Sequence, residues 1–410
     1  MTIPEITTVC FVGAGTMGCY NAMVAAISGY KVSLYDVDSN CLAGVSQRQM
    51  EMATMLVGGG YCSRADLPAA FERILVTADL PLAIADADLV SESVFERLDI
   101  KRKVHKQLDQ VCRPETILTT NSSVLQISQI EDAVKRGDRI AALHSHLGAP
   151  LVDIVPGPRT DPAVIEVLER YVESTGGVPL ILKKENPGYV LNALLGPLLG
   201  TALGLVLNTD ASREAVDASW ISGQQAPMGP FGMMDMFGLN LILDTWRHRD
   251  RKDALQSLRP QILSLLEPRV ERGELGMKSG KGFYHYPEPA YEAFDFVSAA
   301  GGIKEIHNCL QTVLIGNALL LAANEIASIA DIDKAWQAGT HLSIGPFQQL
   351  SMLATGSILK RLKEAVAEGY FDAANLDHVT AYLSQGEAAL IGNRLADNKP
   401  VGNELVASNV

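Results

Sequence analysis

The sequence predicts an α/β domain built on an open, doubly wound, mostly parallel sheet, followed by two all-α domains of one repeated design. Three observations predict it. Short β-branched runs alternate with helical patterns over the first 185 residues. Strand signals all but vanish after Asn186-Pro187-Gly188. The helical remainder then repeats itself at a constant shift of 116 residues. Alternating strands and helices imply parallel strands joined by crossover helices.

Taken in order, Thr8–Val12 reads as a strand, Met17–Ser28 as a helix and Lys31–Tyr35 as a second strand, followed by one long helix from Asn40 to about Leu56. Further strands are expected at Ile74–Thr77, Asp88–Ser91, Ile117–Thr120, Ile140–Leu143 and Pro179–Leu182, with helices between them, notably Arg97–Val111 and Pro162–Ser174. In the second half, Asp217, Trp220, Gly223, Gly229, Pro230, Phe231 and Met236 recur as Asp333, Trp336, Gly339, Gly345, Pro346, Phe347 and Met352. Asn192, Leu194, Gly200, Leu203 and Asn208 recur as Asn308, Leu310, Gly316, Leu319 and Asn324. A fixed period without gaps marks duplication, so the expected domains are 1–186, 187–297 and 298–410. The second helical copy is expected to pack on the first as an internal pseudo-dimer, with a homodimer still possible.

Composition narrows the function. The chain has 410 residues, 47% hydrophobic and 20% charged, which is ample for buried cores. Its net charge of −13 argues against nucleic acid as a partner. The N-terminus lacks a basic start followed by an apolar run, and the apolar stretch Ala193–Leu207 is broken by Gly196, Pro197, Gly200 and Gly204. No signal peptide or membrane span is therefore expected. Six scattered cysteines without a Cys-x-x-Cys pair fit a reducing cytosol.

Strand Thr8–Val12 runs into Gly13-Ala14-Gly15-Thr16-Met17-Gly18 and then a helix. In that setting the glycines have separate tasks: Gly13 makes the tight turn, Gly15 lets backbone approach a pyrophosphate, and Gly18 allows close helix–strand packing. The helix N-terminus adds partial positive charge. Asp36, 18 residues after Gly18 at the end of the second strand, is placed to accept from both adenosine ribose hydroxyls. Its charge would repel a ribose phosphate, so the first domain reads as a Rossmann-type domain for NAD rather than NADP.

From about Leu89 onward the residues resemble the L-3-hydroxyacyl-CoA dehydrogenase family in its form with two C-terminal domains. Glu92-Ser-Val-Phe-Glu96-Arg-Leu-Asp-Ile-Lys101 is similar to that family's E-x-x-x-E-x-x-x-x-K segment, which implies that Glu96 and Lys101 lie near the nicotinamide half of the cofactor. Thr120-Asn121-Ser122-Ser123-Val124-Leu125 is similar to its S-N-T-S-S-L turn, and Arg139-Ile-Ala-Ala-Leu-His144 to its R-F-A-G-L-H. Pro187-Gly188-Tyr-Val-Leu-Asn192 resembles P-G-F-x-x-N, and Ala226-Pro-Met-Gly-Pro-Phe231 resembles Y-P-M-G-P-F. Lys278-Ser-Gly-Lys-Gly-Phe-Tyr284 resembles K-T-G-x-G-F-Y, implying that Lys278 also approaches the cofactor.

Oxidising a secondary alcohol with NAD removes a hydride from carbon and a proton from oxygen. A base near neutral pKa suits the second step, and histidine is the natural choice. His144 is that candidate, oriented by the carboxylate of Asp153, which occupies the place of a family glutamate. Ser123 and Asn192 are expected to bond the reacting oxygen and orient the nicotinamide. Asn308, the repeat of Asn192, has no histidine loop beside it and reads as structural. His144-x-His146 could offer two metal ligands on one strand face, but no acidic or sulfur partner is spaced nearby, so no metal is expected.

Two departures from the family bear on the substrate. The family's H-x-x-N-P is His144-Ser-His-Leu147-Gly-Ala-Pro150 here, with the segment to the acidic partner shortened by about three residues. The stretch Met50–Leu67, lysine-rich in acyl-CoA members, offers only Arg64 as a cation, although CoA phosphates need Lys or Arg. The leading expectation is NAD-dependent oxidation of an L-3-hydroxyacyl-CoA thioester. The alternatives are a dehydrogenase of a non-CoA hydroxy acid or ring alcohol, since the run from Pro150 to Thr160 resembles such members, and an NAD-binding protein without catalysis.

Overall fold

A computed structural model describes residues 5–249, 253–301, 304–354 and 356–384. The chain divides into two compact units. The first comprises Met1–Leu199, Ile221–Pro227 and Asn324–Phe347; the second comprises Gly200–Trp220, Met228–Ala323 and Gln348–Val410.

The first unit is organised by one eight-stranded sheet in the order β3-β2-β1-β4-β5-β6-β7-β8. Its strands are β1 (Thr8–Val12), β2 (Lys31–Tyr35), β3 (Ile74–Thr77), β4 (Leu89–Glu92), β5 (Ile117–Thr120), β6 (Ile140–Ser145), β7 (Leu151–Pro156) and β8 (Val178–Ile181). Every neighbouring pair is parallel except β6–β7. Chain order reverses between β1 and β4, and in such sheets ligands bind outside the carboxyl ends of the strands at that switch point. β1, β4, β5 and β6 run parallel, so Val12, Glu92, Thr120 and Ser145 all end on that side. β4, β5 and most of β6 are buried, as befits strands covered on both faces.

Two elements differ from the sequence reading. The long helix expected from Asn40 breaks at Gly44 into Ser39–Ala43 and Val45–Gly58. Asp38 caps the first piece by accepting from Asn40 N at 2.9 Å. Arg48 folds back over Gly44, where a Cβ would lie 2.6 Å from its guanidinium, and donates to Ala14 O at 3.1 Å and to Cys41 O. Leu151–Pro156, not expected as a strand, pairs antiparallel with β6. The six cysteines are all free thiols.

The helix Leu98–Val111 buries Lys101, His105 and Leu108, one stripe at i, i+4 and i+7. A lysine and a histidine on the inward face are unusual, because such groups are buried only with partners. In the second unit, buried carboxylates organise the backbone. Asp217 accepts from Phe231 N at 2.8 Å, Gly232 N at 3.1 Å and the Tyr284 hydroxyl at 3.0 Å. Asp235 accepts from Phe283 N and Tyr284 N, each at 2.8 Å. Two helices, Leu191–Asn208 and Lys304–Ala323, are long and apolar, and most of each is buried.

Candidate active site

The glycine loop has the form a dinucleotide needs. Gly13 has φ +102°, and a Cβ there would meet Ser93 O at 2.6 Å. A Cβ on Gly18 would lie 1.8 Å from Gly13 O, so both positions require glycine for packing within the protein. Gly15 differs: nothing lies within 4 Å of its would-be Cβ. The space is kept clear on the ligand side of the loop. The first helical bond runs from Cys19 N to Gly15 O at 3.0 Å, which leaves the N–H groups of Thr16 and Met17 in the first turn outside the helical ladder. They make an anion-binding end.

Asp36 braces this loop as well as facing it. One carboxylate oxygen accepts from Ala14 N at 2.8 Å and the other from Asp38 N at 2.9 Å. Each oxygen keeps a lone pair for a ribose hydroxyl. These residues fit the adenosine and pyrophosphate parts of NAD.

At the carboxyl ends of β4 to β6 lies a polar network. Glu92 is fully buried and accepts from Lys101 Nζ at 2.7 Å, Thr120 Oγ1 at 2.8 Å and Val94 N at 2.7 Å. His105 Nε2 stands 3.3 Å from its other oxygen. Burial alone would raise the pKa of Glu92, but His105 and Lys101 outweigh it and hold the carboxyl at about 2. Lys101 also stands 3.2 Å from Glu96. Its ammonium, 1% exposed, therefore meets two carboxylates rather than open space. Glu96 is half-exposed and accepts from the Ser122 hydroxyl. Of the expected pair, Lys101 is an anchor and Glu96 reaches the surface.

His144 lies near the end of β6, and the β6–β7 register sets it directly opposite Asp153. Its Nδ1 is 2.9 Å from Asp153 Oδ2. That same oxygen is 2.8 Å from His146 Nε2, and the two imidazoles meet edge to face with centroids 4.4 Å apart. Burial and then His146 hold His144 below the usual imidazole pKa, against the opposing pull of Asp153. Burial works to raise Asp153, but the two imidazoles hold it below the usual carboxylate value. The dyad at neutral pH is thus a carboxylate beside a neutral ring whose Nε2 is the free acceptor. Asp153 also corrects the expectation that His144-x-His146 lacks an acidic partner. The partner comes from the adjacent strand, and the three donor atoms lie within 4.8 Å of one another.

Ser123 is half-buried and its hydroxyl has no hydrogen-bond partner among the described residues; Asn192 is exposed near the start of the helix Leu191–Asn208. The segment before Asn192 is tied to the serine turn, because Gly188 N donates to Ser123 O at 3.1 Å and the Tyr189 hydroxyl to Ser122 O at 2.8 Å. Lys278 belongs to the second unit, where its Nζ donates to Asn240 at 2.7 Å. Sequence reasoning missed three contributors. Tyr189, at φ +50°, packs against His144 with centroids 5.2 Å apart and the rings tilted by 47°. Asn121 holds the end of β6 by accepting from Ser145 N at 2.9 Å. Arg48 clamps the glycine loop. A polar residue directly after a buried strand was the available signal for Asn121, and the glycine before Tyr189 was the signal for its strained turn.

Comparison with known proteins extends this geometry. Residues 8–185 match the family model described as 3-hydroxyacyl-CoA dehydrogenase, NAD binding domain, and residues 188–286 match the model of its C-terminal domain. The human mitochondrial hydroxyacyl-coenzyme A dehydrogenase is 32% identical over 291 residues, 67% of this chain and 90% of that protein. The chain belongs to the 3-hydroxyacyl-CoA dehydrogenase family. As a member it is an NAD-dependent oxidoreductase acting on CH–OH groups. Among solved structures, a diketoreductase is 33% identical, with a TM-score of 0.63 over 69% of this chain and all of that one. An Escherichia coli 3-hydroxybutyryl-CoA dehydrogenase, 23% identical, shares the fold over 93% of this chain and all of its own, with a TM-score of 0.74.

Proposed function

We propose that this member of the family oxidises the 3-hydroxyl of an L-3-hydroxyacyl-CoA to the ketone, with His144 as general base and Asp153 as the group that orients it. The observation that carries this reading is the 2.9 Å contact between His144 Nδ1 and Asp153 Oδ2. It fixes the proton on Nδ1 and leaves Nε2 to accept the proton of the alcohol, and the carboxylate stabilises the imidazolium that forms. Bound NAD⁺ supplies the hydride acceptor. Gly15, the first helical turn and Asp36 hold its adenosine half; Glu96, with Ser122 and Lys101 behind it, presents a carboxylate toward the nicotinamide half. Tyr189 packs against the imidazole and limits its rotation. Ser123 and Asn192 bring uncommitted polar groups to the reacting oxygen. His144→Ala should lower kcat by ~10²–10⁴ with NAD affinity nearly intact. Wild-type turnover in that variant would remove His144 from its role.

A second reading, reduction or oxidation of a free keto or hydroxy acid, is favoured by the likeness to a diketoreductase and by Arg64 being the sole cation of residues 50–67. Comparing kcat/KM for acetoacetyl-CoA and acetoacetate separates the two. A ratio near one favours the free acid.

The two helical copies are supported by matched local geometry. Asp217 accepts from Phe231 N at 2.8 Å and Asp333 from Phe347 N at 2.7 Å. A Cβ on Gly229 would meet Asp217 at 2.4 Å, and one on Gly345 would meet Asp333 at 2.4 Å. One turn is built twice, at positions related by the same shift of 116.

A further inference from the structure

We propose that His144, His146 and Asp153 form a binding site for a divalent cation of the zinc class, and that the ion switches the active site off. The binding rests on ligand geometry alone, whereas the inhibition rests on the dehydrogenase reading above.

His144 and His146 are two residues apart, so both rings point from the same face of the chain at the end of β6. Asp153 faces His144 from β7. One carboxylate oxygen already takes both imidazoles, at 2.9 and 2.8 Å. The other, Oδ1, is buried without a hydrogen-bond partner among the described residues. A buried carboxylate with an idle oxygen has unused capacity for a positive charge. Among the described residues, this is the one group of three histidine, cysteine or acidic side chains whose donor atoms converge this closely.

Zinc–ligand bonds of about 2.0–2.1 Å at tetrahedral angles place donor atoms roughly 3.3 Å apart. The nitrogen–oxygen distances need open by about half an ångström, and the three donor atoms, now within 4.8 Å of one another, need settle at about that common spacing. Two imidazoles and one carboxylate suit zinc, and suit magnesium or calcium poorly. Three protein ligands leave a fourth position for water. The His146 side chain is 10% exposed, which gives the ion an approach.

The proton balance explains the inhibition. In the resting network Nδ1 of His144 and Nε2 of His146 each donate to Asp153. Ligation of His144 through Nδ1 moves its ring proton to Nε2. Nε2 of His144 then donates and can no longer accept the proton of an alcohol. Zinc therefore blocks the base by fixing the wrong tautomer.

The test is calorimetric titration of the full chain with ZnCl₂, the visible spectrum of its Co²⁺ complex, and zinc inhibition of NADH-dependent acetoacetyl-CoA reduction. The expected result is one ion per chain, four-coordinate Co²⁺ bands without thiolate charge transfer, and inhibition reversed by chelator but not reproduced by Mg²⁺. His146→Gln, which leaves the His144–Asp153 contact in place, should weaken binding and inhibition together by at least ~10-fold. His146→Asn, checked for fold by circular dichroism, should do the same. Failure to bind at one equivalent, thiolate bands from the cysteines, or wild-type zinc affinity in both variants would overturn the site. Binding that obeys the variants in a chain that turns over no thioester would retain the site and refute the thioester reading. Normal turnover without zinc binding would do the reverse.

Discussion

His144 and Asp153 are cross-strand partners in the only antiparallel pair of the described sheet, so a nine-residue separation closes to 2.9 Å between ring nitrogen and carboxylate. Directly opposed residues in such a pair have Cα atoms about 4.5–5.5 Å apart. That closeness brings an aspartate within reach of the ring where the family pattern has the longer glutamate. Asp153→Asn should preserve the packing but fix the wrong tautomer on His144, lowering kcat by ~10²–10⁴ with little change in NAD affinity. Stopped-flow measurement of NADH formation checks it, and near-normal single-turnover rates would contradict the orienting role.

Asp36 braces Ala14 N at 2.8 Å, and as the proposed ribose acceptor it has a second task. Asp36→Ala should weaken NAD by ~10–100-fold, a loss of one to two charge-assisted hydrogen bonds. At saturating NAD, kcat should remain close to wild type. Fluorescence titration with NADH gives the first quantity and steady-state kinetics the second.

Glu92 and Lys101 form an ion pair whose side chains are 0% and 1% exposed. Lys101→Met leaves a buried carboxylate facing only His105 and neutral donors, and such a loss costs about 3–5 kcal/mol. Urea denaturation should show that cost. The double variant Glu92→Gln/Lys101→Met should recover part of it, because no unpaired charge remains. A single variant as stable as wild type would mean that the pair contributes nothing.

Asp217 gives the pH dependence of the second unit. Burial raises its pKa from 3.8 to about 7, against the three donors that favour ionisation. A folded carboxyl that binds its proton more tightly than the unfolded one stabilises fully below pH 4. That contribution is lost as pH rises toward 7. The thermal midpoint of this unit should therefore fall between pH 4 and 7, and Asp217→Asn should flatten the slope. An unchanged slope in the variant would assign the effect elsewhere.

Periodicity and turn chemistry made much of the first unit readable: β1, β2, β3 and β5 lie where the β-branched runs put them, and Gly13-x-Gly15 sits at the strand-to-helix turn. β7 escaped because Leu151-Val-Asp153-Ile-Val155 sets one acidic residue between two apolar pairs, which breaks the two-residue alternation, and prolines bound it on both sides. The helix break at Gly44 escaped because its cause is long-range, the return of Arg48 to Ala14. Of the adjacent serines, the buried, hydrogen-bonded one is Ser122 and the uncommitted one is Ser123; a difference of face within a turn leaves no trace in composition. Asp153 was legible as the partner of His144, but its second contact, with His146, was not, since strand pairing joins residues that spacing alone separates.

Strand register sets His144 opposite Asp153, and the turn of residues 147–150 carries neither side chain. Leu147 is 48% exposed there and Gly148 sits at φ +77°. The exposed side chain of Leu147 can therefore be exchanged without touching the His144–Asp153 contact, whereas Gly148 holds a left-handed conformation that favours glycine and Ala149 is buried. Position 147 is thus a point that a lineage or a protein engineer can vary while the proposed base and its partner stay in place.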